Sequence, residues 1–109
     1  MSNIPGSEFG LSTQEMSLIH DIVASAGPEL ERVAVFGSRA QNNFRPNSDL
    51  DLVLYGNLSQ KTVDHLSTLF ADSSLPFSVD LKCYDTLTYL PLRQHIDKVA
   101  KTLFITRSS

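Results

Sequence analysis

Apolar positions along the chain recur at two spacings, and the switching between them lays out a fold. Met16, Ile19, Ile22, Val23 and Ala26 fall at helical intervals. Ser12-Thr13-Gln14-Glu15 just before them has the spacing of a capping box, with Leu11 and Met16 placed as a hydrophobic staple. Gly27-Pro28 stops this helix. Val33-Ala34-Val35-Phe36 is short, β-branched and aromatic, which predicts a strand ending at Gly37. In Asp49-Leu50-Asp51-Leu52-Val53-Leu54 the period is two, so Leu50, Leu52 and Leu54 line one face of a second strand that Gly56-Asn57 closes. Ser59 can cap a helix carrying the stripe Val63, Leu66, Leu69 and Phe70. After a loop over 72–76, the run 77–83 alternates again, with Val79, Leu81 and Cys83 on one side and Ser78, Asp80 and Lys82 on the other. Pro91 suits the first turn of a last helix with the stripe Leu92, Ile96, Val99 and Ala100, and Leu103-Phe104-Ile105 is a short final strand at an edge.

Helices and strands in this order predict an α/β (α+β) single domain over 11–109, with a small mixed β-sheet covered by helices on one face. The other face has to stay open if its acids are to meet a ligand. Met1 to Gly10 carries Pro5, Gly6 and Gly10 and no periodicity, so 1–10 is expected to be a disordered tail or cloning remnant. With 109 residues the chain has room for one core and none for a separate acceptor-binding domain. The net charge of −3, without a basic run, argues against a template-binding polymerase and direct nucleic-acid binding. No apolar run is long enough for a membrane span, and no basic-then-apolar leader marks export, so a cytoplasmic location is expected. A lone Cys83 leaves no internal disulfide.

Chemistry concentrates between residues 37 and 80. Gly37 tolerates backbone conformations closed to other residues, and nothing from Ser38 to Ala40 breaks a helix. The turn is therefore expected to open a helix whose first N–H groups point outward, a seat for phosphate. Gln41 to Ser48 is a polar connection rich in turn formers. Asp49 and Asp51 then share one strand face, where their repulsion costs stability unless a cation lies between them. Oxygen-only, doubly anionic ligation suits Mg²⁺ that shares its shell with substrate phosphates. If the third strand lies beside the second, Asp80 comes within one or two strand spacings, about 4.8 Å each, of this pair. Three carboxylates can then share two ions.

Gly37-Ser38, ten residues, then Asp49-x-Asp51 resembles the signature of the nucleotidyltransferase superfamily with a polymerase-β-like core. Phe36-Gly37-Ser38-Arg39-Ala40 and Ser48-Asp49-Leu50-Asp51-Leu52 are similar to the minimal nucleotidyltransferases, one-domain proteins paired as antitoxins with helical HEPN-domain toxins. The likeness covers about residues 11 to 106. It implies a nucleotidyltransferase fold, two Mg²⁺ ions held by Asp49, Asp51 and Asp80, and transfer of AMP from ATP to a protein hydroxyl on a HEPN-type toxin, whose presence completes the site. The third acid of that family holds the acceptor-side ion and takes the acceptor proton, a role that would fall to Asp80. Two other functions compete: adenylylation of a small hydroxylated molecule such as an aminoglycoside, and neutralisation of a toxin by masking alone. Intact Gly37-Ser38, Asp49 and Asp51 argue against a mask, which has no use for a repulsive acidic cluster.

Gly37 and Ser38 are the expected triphosphate contacts. Arg39 and Lys82 are placed with them as cations for phosphate, Arg39 because it adjoins the turn and Lys82 because it shares the face of Asp80; Arg45 on the loop is a further candidate. His20, His65 and His95 fall on predicted helices without zinc-ligand spacing and are assigned structural roles. Cys83 alternates onto the apolar face as a small core residue.

Overall fold

The computed structural model describes residues 9–41, 45 and 47–105. Helix α1 (Thr13–Ala24) opens on the expected capping box. The Glu15 N–H donates to Ser12 Oγ (3.0 Å), and the Ser12 N–H donates to Glu15 Oε1 (2.9 Å), satisfying two otherwise unpaired donors. Ile19, Ile22 and Val23 of its stripe are buried. Four strands follow, β1 (Leu30–Phe36), β2 (Leu50–Gly56), β3 (Val79–Cys83) and β4 (Lys101–Ile105), with α2 (Gln60–Ala71) between β2 and β3 and α3 (Leu90–Val99) before β4. The Ser59 side chain caps α2 by accepting from the Thr62 N–H.

The sheet is mixed, in the order β3-β2-β1-β4. β1 runs antiparallel to both β2 and β4, whereas β2 and β3 are parallel and joined by α2. Parallel neighbours need a crossover of this kind, and α2 supplies it. Leu50, Leu52 and Leu54 are buried together with Val33 and Val35 and with the apolar sides of α1 and α2, forming the main core. Two of the three helices thus cover one face, as the pattern predicts. α3 lies on the opposite face, where Ile96 packs with Ala34, Phe36 and Val53, flanked by partly buried Leu92 and Val99. Sheet alternation dictates this split: the residues between the leucines of β2 need a cover of their own wherever they are apolar.

Three local expectations change. Phe9 is only 6% exposed and belongs to the main core, so the ordered chain begins before Leu11; residues 1–8 of the expected tail lie outside the described residues. β1 starts at Leu30, three residues earlier than the Val33 run, while β2 ends at Gly56 as expected. The turn after Gly37 does not open a helix within 38–41: among the described residues the Gln41 N–H donates to the Ser38 carbonyl (3.2 Å) and the Gln41 side-chain amide donates to the Gly37 carbonyl (3.4 Å).

Since Ile96 is wholly buried beneath α3, Ile96→Ala should destabilise the protein by about 2–5 kcal/mol in urea unfolding. A loss below about 0.5 kcal/mol, the level of a surface change, would mean that α3 is not part of the cooperative fold.

Candidate active site

β1 delivers the chain to Gly37, whose φ of +77° lies in the left-handed region. The register explains why no side chain fits there. Phe36 pairs with Asp51, so the turn passes directly over the Asp51 side chain, and a Cβ on Gly37 would collide with Asp51 Oδ2 and lie 3.2 Å from its Cγ. Gly37 and Ser38 are both half-buried. The Gly37 turn and the Asp51 carboxylate therefore lie against each other.

In the parallel ladder Asp51 pairs with Asp80, and Val53 with Lys82. Paired residues face the same way, so Asp51, Asp80 and Lys82 share the face opposite the leucine core. Asp49 sits exposed just before β2. The Asp51 carboxyl is held above its ordinary range, chiefly because it is partly removed from water, then because of the negative charges of Asp80 and Asp49; Lys82 and His95 oppose the shift. Asp49, Asp51, Asp80, Lys82 and His95 are thus one electrostatic group. Lys82 Nζ lies 3.4 Å from Asp80 Oδ2 and offsets part of its charge.

Among the described residues no three of His, Cys, Asp and Glu gather into a ready-made metal cage. The donor chemistry nonetheless fits Mg²⁺, which keeps its waters and is held by one or two carboxylates together with substrate phosphates. Asp49, Asp51 and Asp80 offer only oxygen, and their mutual repulsion is what a divalent cation would relieve.

One expected phosphate ligand is corrected. Arg39 is 1% exposed and donates hydrogen bonds to the backbone carbonyls of Ser48 and Phe9, so its guanidinium is turned into the protein rather than toward an incoming nucleotide. Arg45 is exposed in a turn in which its N–H donates to Ser48 Oγ (2.8 Å). His95, given a structural role above, is instead half-buried on α3 with its charge felt at Asp51. The stripe of α3 shows which side of that helix is apolar but not which sheet face receives it, so no sequence signal pointed to His95.

The chain belongs to the polymerase β nucleotidyltransferase family, whose family model matches residues 18–109. Its fold is similar to that of chains solved in toxin-antitoxin complexes. A chain in the crystal structure of a toxin-antitoxin with AMP-PNP superposes with a TM-score of 0.69 and 26% identity, covering 84% of this chain and 73% of that one. The toxin-antitoxin MntA-HepT gives a TM-score of 0.61 at 22% identity, over 84% and 70% of the two chains. Tri-AMPylated Shewanella oneidensis HEPN toxin in complex with MNT antitoxin gives 0.62 at 21% identity, over 84% and 70%. The last two, below 25% identity, speak to the fold alone. No curated protein matches the sequence. No helix among the described residues is long and apolar enough to cross a membrane.

The raised pKa of Asp51 has a sign that can be tested. A carboxyl whose native pKa is raised binds its proton more readily in the folded than in the unfolded chain. Its contribution to stability therefore falls as pH rises from the unfolded range, about 3.9, through the native value. Asp51→Asn removes that penalty. In metal-free buffer at pH 7 the variant should match or exceed the native protein in urea melts, and the advantage should shrink toward pH 4. Clear destabilisation at pH 7 would show that the ionised carboxylate holds the fold together.

Proposed function

We propose that this chain is a metal-dependent nucleotidyltransferase that moves AMP from ATP to a hydroxyl group of a HEPN-type toxin and acts as that toxin's antitoxin. The observation that carries the reading is the contact between Gly37 and Asp51, with Asp80 registered beside Asp51. It places a backbone turn suited to phosphate against carboxylates suited to divalent cations. The likeness to a chain of a toxin-antitoxin solved with AMP-PNP, at 26% identity, supports the choice of nucleotide and of a toxin as partner.

In this reading the triphosphate lies along Gly37 and Ser38, where glycine admits close approach and the Ser38 hydroxyl and N–H contact phosphate oxygen. Mg²⁺, when bound as a pair of ions, would acidify the acceptor hydroxyl and neutralise the phosphates. Asp49 and Asp51 would hold both ions, with Asp80 as a further ligand. Asp80 serves the acceptor side and takes the hydroxyl proton as the acceptor oxygen bonds to the α-phosphorus. The α–β phosphoanhydride bond breaks and pyrophosphate leaves. Lys82, paired with Asp80, is a cation for phosphate oxygen in this reading.

In this reading the acceptor hydroxyl belongs to the toxin. Intact-mass spectrometry of a HEPN toxin encoded beside this protein, incubated with it, Mg²⁺ and ATP, should show addition of one or more AMP units. Neutralisation of the toxin with no mass change would establish masking instead, and modification of an aminoglycoside but not of the protein would establish a small acceptor.

In the same assay Asp80→Ala should lower single-turnover transfer by about 100-fold or more, with the affinity for a non-hydrolysable ATP analogue within about threefold of native. Near-native turnover would remove Asp80 from the site, and parallel loss of affinity would move it to the nucleotide side.

A further inference from the structure

Among the described residues Arg39 is the one charged side chain that is buried. Burying a guanidinium is costly unless its donors are matched, so its partners indicate what it is for. Burial lowers its pKa, opposed by the negative charges of Glu15 and Asp49. Arg39 Nε and Nη2 both donate to the Ser48 carbonyl, at 3.1 and 2.9 Å, and Nη1 donates to the Phe9 carbonyl at 2.7 Å. The guanidinium carbon lies 4.5 Å from the centroid of the Phe77 ring.

These partners flank every segment that carries a site residue. Arg39 itself follows Gly37-Ser38, and Ser48 precedes Asp49. Phe77 leads into β3 and Asp80, and the next residue, Ser78, accepts a hydrogen bond from the Leu50 N–H at 2.9 Å. Two donors on one carbonyl fix its direction as well as its distance, which the single ammonium of a lysine cannot do. The stacked ring fixes the plane of the fork from the other side.

We propose that Arg39 is a positioning residue for the acidic cluster: from inside the protein its guanidinium draws the Ser48-Asp49 backbone and the Phe77 end of β3 against the Gly37-Ser38 turn, setting the separation between phosphate turn and carboxylates. The catalytic consequence rests on the nucleotidyltransferase reading, whereas the clamp itself is independent of it. Arg39 would thus control the rate without touching the nucleotide.

Arg39→Lys keeps the charge and removes the fork. Native-state hydrogen exchange of this variant, referenced to the amides of α1 to remove any change in global stability, should show amides 49–51 and 79–80 opening at least about tenfold faster than in the native protein. The kcat for transfer should fall at least about tenfold with the KM for ATP within about threefold. Unchanged exchange overturns the clamp, and faster exchange with unchanged kcat overturns the positioning role. Should the native protein transfer nothing, the function falls and the exchange ratio alone decides Arg39. If Arg39→Lys does not fold, the Nε–H resonance of Arg39 in the ¹⁵N-labelled native protein decides. It should exchange slowly with water and barely shift when Mg²⁺ and AMP-PNP are added. Exchange as fast as that of a surface arginine, or a large shift on nucleotide addition, overturns the proposal.

Discussion

Asp51 is held partly out of water between the Gly37 turn and its register partner Asp80, with Asp49 two residues away, and the like charges around it oppose its ionisation. A structure that only had to be stable would place a neutral residue here, because half-burial of one carboxylate beside two others costs free energy and yields no packing. The rest of the architecture makes sense as a means of keeping that arrangement. Glycine stands at 37 because any larger residue would push the carboxylate aside. Lys82 lies against Asp80 and offsets part of its charge, and Lys82 and His95 both oppose the upward shift at Asp51.

The sheet topology brings the pieces to one end of the domain. β1 stops where β2 begins, and the parallel step from β2 through α2 to β3 aligns Asp80 with Asp51 rather than a strand length away. The two cores divide the work. Leucines of β2 under α1 and α2 anchor the sheet, while Ile96 of α3 closes the apolar part of the opposite face. The acidic end of that face is left bordered by α3, with Arg39 bracing the same segments from inside the protein. A site whose charges repel needs such bracing from both sides, since a loose backbone would let the carboxylates drift apart.

What could be read from the residues follows from how local the governing forces are. Alternation in β2 and β3 depends only on chain geometry, so the leucine face, the shared face of Asp51 and Asp80, and the inward Cys83 were all legible. The capping box of Ser12 and Glu15 is likewise decided within four residues. Arg39 was misread because adjacency to a turn says where the Cα lies and not where a long, flexible side chain ends. Only the tertiary meeting of Ser48, Phe9 and Phe77 turns it inward. The placement of α3, and with it the nearness of His95 to Asp51, is also tertiary: a helical stripe can be satisfied by either face of a sheet. The burial of Phe9 is likewise a tertiary outcome, hidden by the proline and glycines in the sequence around it.

In the proposed function the Gly37-Ser38 turn and the three carboxylates form one site for a nucleoside triphosphate with its cations. A crystal structure of the protein with Mn²⁺ and AMP-PNP would test this, because manganese is located by its anomalous scattering independently of the nucleotide. Manganese should be bound to the Asp51 carboxylate and shared with Asp49 or Asp80, with the triphosphate against Gly37 and Ser38. Nucleotide bound elsewhere, or manganese absent from Asp51 while nucleotide is present, would contradict it.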